Sequence, residues 1–165
     1  MNENKTPVTV YSTLSLWLHW LTLPAILVMF LTAEQDSPLT PFHLALGPSI
    51  GIFLFFRTAY RVKNGIAKLD GGAVDARSRL ALIWGLLVTM TVLVITGLLL
   101  VWANQLPVQL LGFDIESPWV FTEQTRNTIA TVHHTSSYLL LSTLVLHIVV
   151  SKASERMFST SDQST

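Results

Sequence analysis

Five histidines are the residues whose type and position could support chemistry in this sequence. They are His19, His43, His133, His134 and His147. Each lies inside a long stretch without any Asp, Glu, Lys or Arg. An ionisable side chain in so apolar a segment is costly, and by default it indicates a functional site. For any single histidine, the alternative is a hydrogen bond that holds two apolar helices together.

Four stretches without Asp, Glu, Lys or Arg must position these histidines. They span residues 6–33, 37–56, 80–113 and 127–151 of a 165-residue chain that is 50% hydrophobic and only 12% charged. About 20 apolar residues in a helix cross the roughly 30 Å hydrocarbon core of a membrane. The sequence therefore predicts an all-α membrane protein, a four-transmembrane-helix bundle. We expect the helices at about 12–33, 42–60, 80–103 and 127–151, with polar linkers at 61–78 and 104–126.

The balance of charges and the lack of cysteine exclude several classes of protein and of metal site. Ten Lys and Arg balance ten Asp and Glu, so there is no basic surface for a nucleic acid. The chain has no cysteine, which excludes disulfides, thiolate metal sites, iron–sulfur clusters and covalently attached haem. We expect one membrane domain over residues 1–152, surrounded by membrane lipid, and a polar, mobile C-terminal tail over 153–165.

The Lys and Arg residues predict the orientation of the bundle. Nine of the ten fall on the side that holds both termini and the 61–78 linker, and only Arg126 falls on the other side. Cytoplasmic loops of membrane proteins carry an excess of Lys and Arg. We therefore expect both termini in the cytoplasm and the two acidic loops outside.

Depth along the four segments sorts the histidines into two layers. His19 and His147 lie near the inner ends of segments one and four, whereas His43 and His133 lie near the outer ends of segments two and four. His133 and His147 are 14 residues apart, which at ~100° per residue places them on one helix face about 21 Å apart. His134 is rotated ~100° from His133 and leaves that face. The sequence predicts one inner and one outer histidine pair, with His134 as a bystander.

Two histidines on facing helices are typical ligands of haem iron. Zinc normally takes three or four protein ligands, and a proton relay more often includes Asp or Glu, neither of which lies at membrane depth here. A bis-imidazole iron needs only the two histidines and an apolar sleeve for the macrocycle. Because both axial positions are then filled, such a haem carries electrons and does not bind substrate. Two layers predict two haems and a path for electrons across the membrane.

Two further residues are candidates for cofactor binding. Gly47 lies one turn from His43, where the missing side chain could admit the porphyrin; the alternative is a small-residue helix contact. Arg57 is 14 residues from His43 and therefore on the same face at the inner layer, where it could pair with haem propionates. The alternative for Arg57 is a cation that snorkels toward the inner surface.

Three motifs resemble the prokaryotic cytochrome b561 family over roughly residues 10–152. They are the stretch YSTLSLWLHWL at 11–21, the HLALG motif at 43–47 followed by Arg57 and Arg61, and the interval from His133 to His147. The resemblance implies a four-helix bundle in the bacterial inner membrane with two b haems. It also implies ligation by His19 with His147 and by His43 with His133, which agrees with the pairing from depth and phase.

The resemblance further implies partners on both sides of the electron path. Members of the family exchange electrons between the quinone pool, such as ubiquinone, and a donor or acceptor at the outer face. Some resemble a superoxide oxidase that reduces ubiquinone, and others resemble quinol-linked donors to a periplasmic redox protein. The sequence departs from many relatives at His134, where they have an acidic residue, and at Ser154 and Glu155, where they have a pair of histidines. These departures leave the four proposed ligands intact.

Two other classes of function compete with electron transfer. A non-redox membrane scaffold or assembly protein would be colourless, and its histidines would tolerate replacement. A metal or proton transporter would move ions without haem.

Overall fold

The computed structural model of the chain describes residues 13–33, 38–64, 73–110 and 112–161, with side chains described except at 73–76 and 153–161. Four helices form the bundle: α1 (Thr13–Leu31), α2 (Thr40–Asn64), α3 (Ala73–Ala103) and α4 (Glu123–Ser161). All four are long and apolar enough to cross a membrane. The prediction of a four-helix membrane bundle is confirmed.

Two helices extend further than the apolar stretches predict. Helix α3 begins at Ala73 instead of near residue 80, and α4 runs from Glu123 to Ser161 instead of 127–151. Charged and polar residues at these ends mark where a helix leaves hydrocarbon, but they do not end it, because no Pro or Gly interrupts either extension. Most of the expected polar tail is therefore helical, and residues 162–165 lie outside the described part.

The helices pack in chain order. Contact is most extensive between α3 and α4, followed by α2 with α3 and α1 with α2. The buried core lies where α2, α3 and α4 meet, around Leu54, Leu87, Met90 and Leu140. Among the described residues, neither α1 nor α2 packs closely along α4. Apart from α3, contact with α4 therefore depends on individual side chains.

A short β-hairpin lies between α3 and α4, where the sequence analysis predicted only a linker. Strand β1 (Val108–Leu110) pairs antiparallel with β2 (Phe113–Ile115), and β1 packs on α2 and α3. Gly112 adopts a φ of +87° in the turn, a conformation that glycine reaches without steric cost. We call the membrane side with this hairpin the hairpin side, and the side where α2 ends and α3 begins the terminal side.

Helix α3 ends in a left-handed residue that is not glycine. Gln105 has a φ of +58°, its N–H donates to the Trp102 carbonyl over 3.0 Å, and the Leu106 N–H donates to the Val101 carbonyl over 3.1 Å. These two bonds form a Schellman motif, in which the left-handed position is usually glycine. The left-handed conformation costs a residue with a Cβ about 1–2 kcal/mol.

We expect Gln105→Gly to raise the free energy of unfolding by about 1 kcal/mol because it removes this strain. Gln105→Val should lower it by a similar amount, since a β-branched residue resists the left-handed region more strongly. The measurement is thermal or denaturant unfolding of the protein in detergent, monitored by circular dichroism. Asn104→Gly, at the preceding position, is the control and should not stabilise. Equal effects of the two glycine substitutions would contradict the prediction.

Candidate functional site

The hairpin-side layer brings His43 of α2 and His133 of α4 together. Their ring centroids lie 6.5 Å apart, and the ring planes are almost perpendicular at 89°. Both side chains are partly buried. The structure therefore places in contact the two histidines that the sequence analysis assigned to the outer layer.

The Nδ1 atom of His43 is held by α1. It lies 2.9 Å from the backbone carbonyl oxygen of Met29 and 3.4 Å from Oγ1 of Thr32. A carbonyl oxygen only accepts, so Nδ1 carries the proton and donates it. In the neutral ring the lone pair is then on Nε2, the atom that remains for a metal.

The Nδ1 atom of His133 is held in the same way by α3. It lies 3.1 Å from Oγ1 of Thr96, whose hydroxyl donates to the Val92 carbonyl over 2.7 Å. Because the hydroxyl proton is used in that bond, Oγ1 accepts from Nδ1 of His133. Thr96 is buried at 9% exposure, so few other partners can reach it. His133 therefore also presents Nε2 with its lone pair.

A glycine lets α3 approach the His133 ring. A Cβ atom at Gly97 would lie only 3.2 Å from Cε1 of that imidazole, closer than almost all real contacts of this kind. The sequence analysis missed Gly97, Thr96 and the Met29 carbonyl as parts of the site. The adjacent Thr96–Gly97 pair in the third apolar stretch was the available signal, since a hydroxyl beside a missing side chain suits a close polar contact.

His134 lies next to the pair but outside it. Its ring packs edge-on against that of His133 at 6.0 Å, and its side chain is exposed. The structure shows no ring contact between His134 and His43 among the described residues. This placement agrees with the helical phase that set His134 apart from His133.

The terminal-side layer gathers the other candidates less tightly. An Nη2 of Arg57 lies 3.3 Å from Nδ1 of His19, and His147 lies close enough to interact electrostatically with both. His19 is exposed and also packs edge-on against Trp20 at 5.8 Å. Within the described ranges, the rings of His19 and His147 make no direct contact. His19 and His147 thus lie near Arg57, but their rings do not contact each other as those of His43 and His133 do.

Gly47 contacts α1 in this structure. A Cβ atom there would lie 3.4 Å from Cε of Met29, an ordinary contact distance with the end of a flexible side chain. Gly47 thus makes room for Met29, whose carbonyl holds His43. The structure thus shows the small-residue helix contact at Gly47.

The hairpin-side pair fits a bis-imidazole haem. A metal–imidazole nitrogen bond of about 2 Å places two rings that share one metal roughly 6 Å apart between centroids, close to the observed spacing. Metal-binding histidines almost always donate the other ring N–H to a carbonyl or similar acceptor, as His43 and His133 do. Among the described residues, no group of three or more His, Cys, Asp or Glu could hold a metal ion. The donor set therefore suits an iron whose other ligands come from a macrocycle.

Comparison with known proteins agrees with this geometry. A family model described as prokaryotic cytochrome b561 matches residues 10–157, which include almost all of the four helices. No curated protein matches the sequence. Proteins of the matched family are helical membrane proteins that transfer electrons with haem b. The chain belongs to the prokaryotic cytochrome b561 family of bacterial multi-pass membrane proteins.

Proposed function

We propose that the chain carries electrons across the bacterial inner membrane through two b haems. His43 and His133 hold one haem on the hairpin side, and His19 and His147 hold the other on the terminal side. The observation that carries the proposal is the His43–His133 pair, whose Nδ1 atoms are both engaged and whose rings are 6.5 Å apart.

The protein residues act by holding and orienting the cofactor. Haem, when bound, supplies a one-electron couple. His43 with His133, and His19 with His147, would hold the two haems, and a haem held in this way would transfer electrons without binding a substrate. The Met29 carbonyl and the Thr96 hydroxyl fix the ring orientations and raise the basicity of the ligands.

Arg57 supports the terminal-side haem in this proposal. Its guanidinium is half-buried, and the described part of the chain places no carboxylate against it. A guanidinium binds a carboxylate more strongly than a neutral imidazole nitrogen because both partners are charged. Arg57 therefore pairs with a haem propionate, and Gly47 supports the hairpin-side haem through Met29, whose carbonyl holds His43.

Charge asymmetry supports the orientation and the kind of partner. By sequence, nine of the ten Lys and Arg fall on the side of both termini, and this excess supports the proposal that the termini are cytoplasmic. Among the described residues of the hairpin side, the only Lys or Arg is Arg126, which lies 4.0 Å from Glu123, and Asp114 and Glu116 are exposed. Such a surface repels superoxide and attracts a basic protein. We therefore propose exchange of electrons between the quinone pool and a basic periplasmic redox protein.

The ligand pairs are tested by four alanine substitutions. His43→Ala and His133→Ala should each remove the hairpin-side haem, and His19→Ala and His147→Ala should each remove the other, because each substitution would delete one of the two imidazoles proposed to hold that haem. The measurement is the reduced-minus-oxidised absorption spectrum of the purified protein, with haem and protein quantified together.

His134→Ala is the matched control because it removes the adjacent imidazole on the same helix. It should leave two haems per chain. Equal loss of haem from His133→Ala and His134→Ala would exclude the proposed pairing. A well-folded wild-type protein without haem from haem-sufficient cells would instead indicate a scaffold or a transporter.

Gly97→Ala should selectively weaken binding of the hairpin-side haem. The added Cβ would press on the His133 ring, and overpacking of this kind typically costs 1–3 kcal/mol, or roughly a 5- to 150-fold loss of affinity. Gly85→Ala is the control on the same helix, since its Cβ would meet Thr143 at an ordinary 3.6 Å. Haem titration of the apoprotein measures both. Similar haem affinity in the two variants would show that Gly97 does not support the site.

The charge of the hairpin side is tested by electron transfer to a basic soluble c-type cytochrome. The double variant Asp114→Asn with Glu116→Gln should slow stopped-flow oxidation of the reduced protein several-fold at low salt. The difference should disappear at about 1 M salt, where charges are screened within ~3 Å. Asp75→Asn, on the terminal side, is the control. An unchanged rate in the double variant, or faster oxidation, would contradict the proposed partner.

A further inference from the structure

The β-hairpin has one apolar and one polar face. Residues directly opposite in an antiparallel pair share a face, and the register pairs Val108 with Ile115 and Leu110 with Phe113. These four apolar residues therefore form one face of the hairpin. The pair between them, Gln109 and Asp114, lies on the other face.

The apolar face is turned toward the helices at its β1 end. Val108 is only 3% exposed because β1 packs on α2 and α3, which fixes the direction of the whole face. On β2 the same face extends beyond the helices: Phe113 is 72% exposed and Ile115 is 42% exposed. The structure thus holds two large, exposed apolar side chains beside the bundle.

A pair of tryptophans connects β2 with the end of α3. The indole N–H of Trp102, at the end of α3, donates to the Ile115 carbonyl over 3.1 Å, and the Trp119 ring packs edge-on against that of Trp102 at 5.8 Å. Tryptophan is enriched where a membrane protein crosses the layer of lipid headgroups.

We propose that the hairpin is an interfacial membrane anchor that inserts Phe113 and Ile115 into the lipid boundary beside the bundle. The occupant of its apolar face is lipid, because the face carries no charge and lies beside a pair of tryptophans, one of which donates to β2. Asp114 and Gln109 then face water. The anchor holds the acidic edge of the hairpin at a fixed height above the membrane, independently of any haem.

The absence of cysteine allows a direct test in the full chain. Single substitutions Phe113→Cys, Ile115→Cys, Asp114→Cys and Gln109→Cys are labelled with a nitroxide and reconstituted in vesicles of phosphatidylcholine and phosphatidylglycerol. Electron paramagnetic resonance compares collisions with oxygen, which concentrates in lipid, and with a water-soluble nickel chelate. Labels at 113 and 115 should favour oxygen several-fold over those at 109 and 114.

Lipid insertion requires that labels at 113 and 115 contact oxygen and labels at 109 and 114 contact the nickel chelate. Either of the following results would overturn the proposal. Nickel access at 113 and 115 equal to that at 114 would show a face open to water and available to a soluble partner. Immobile labels at 113 and 115, shielded from both reagents, would show contact with a second copy of the chain. Helical circular dichroism of each variant confirms that the bundle is intact.

Discussion

Polar atoms in hydrocarbon need partners, and the arrangement of the four helices at the hairpin-side layer depends on this constraint. The Met29 carbonyl of α1 accepts from His43 of α2, whose ring meets that of His133 of α4; His133 in turn donates to Thr96 of α3. Each helix thus contributes one group to a single chain of contacts. Helices α2 and α4 also meet in the buried core at Leu54 and Leu140, so the two imidazoles add a polar link between them.

Much of the fold could be predicted because membrane helices leave a strong signal in the sequence. Charge-free stretches give the number and type of the elements, and the depth of a histidine in its stretch gives its layer. Helical phase separates His133 from His134, and the structure places only the former against His43. These inferences need only the helical rise and rotation per residue, which vary little.

The remaining features depend on how one helix is rotated against another. A backbone acceptor such as the Met29 carbonyl has no side-chain signature, and Thr96 resembles the many threonines that bond to their own helix. The hairpin was missed because strands of three residues are too short to show an alternating pattern. The end of α3 at Ala103 was predicted, but its left-handed cap was not, because Gln105 stands where glycine would normally mark that conformation.

The two histidine layers differ in which ring nitrogen carries the proton, and this difference affects the proposed ligation. In the hairpin-side layer, both Nδ1 atoms donate to neutral acceptors, so each ring already presents Nε2. In the terminal-side layer, Arg57 can only donate, so Nδ1 of His19 accepts and the ring proton lies on Nε2. Ligation through Nε2 therefore requires that Arg57 release His19 and that the proton move to Nδ1. A propionate is the better acceptor for the guanidinium, so binding of the cofactor would itself favour that exchange.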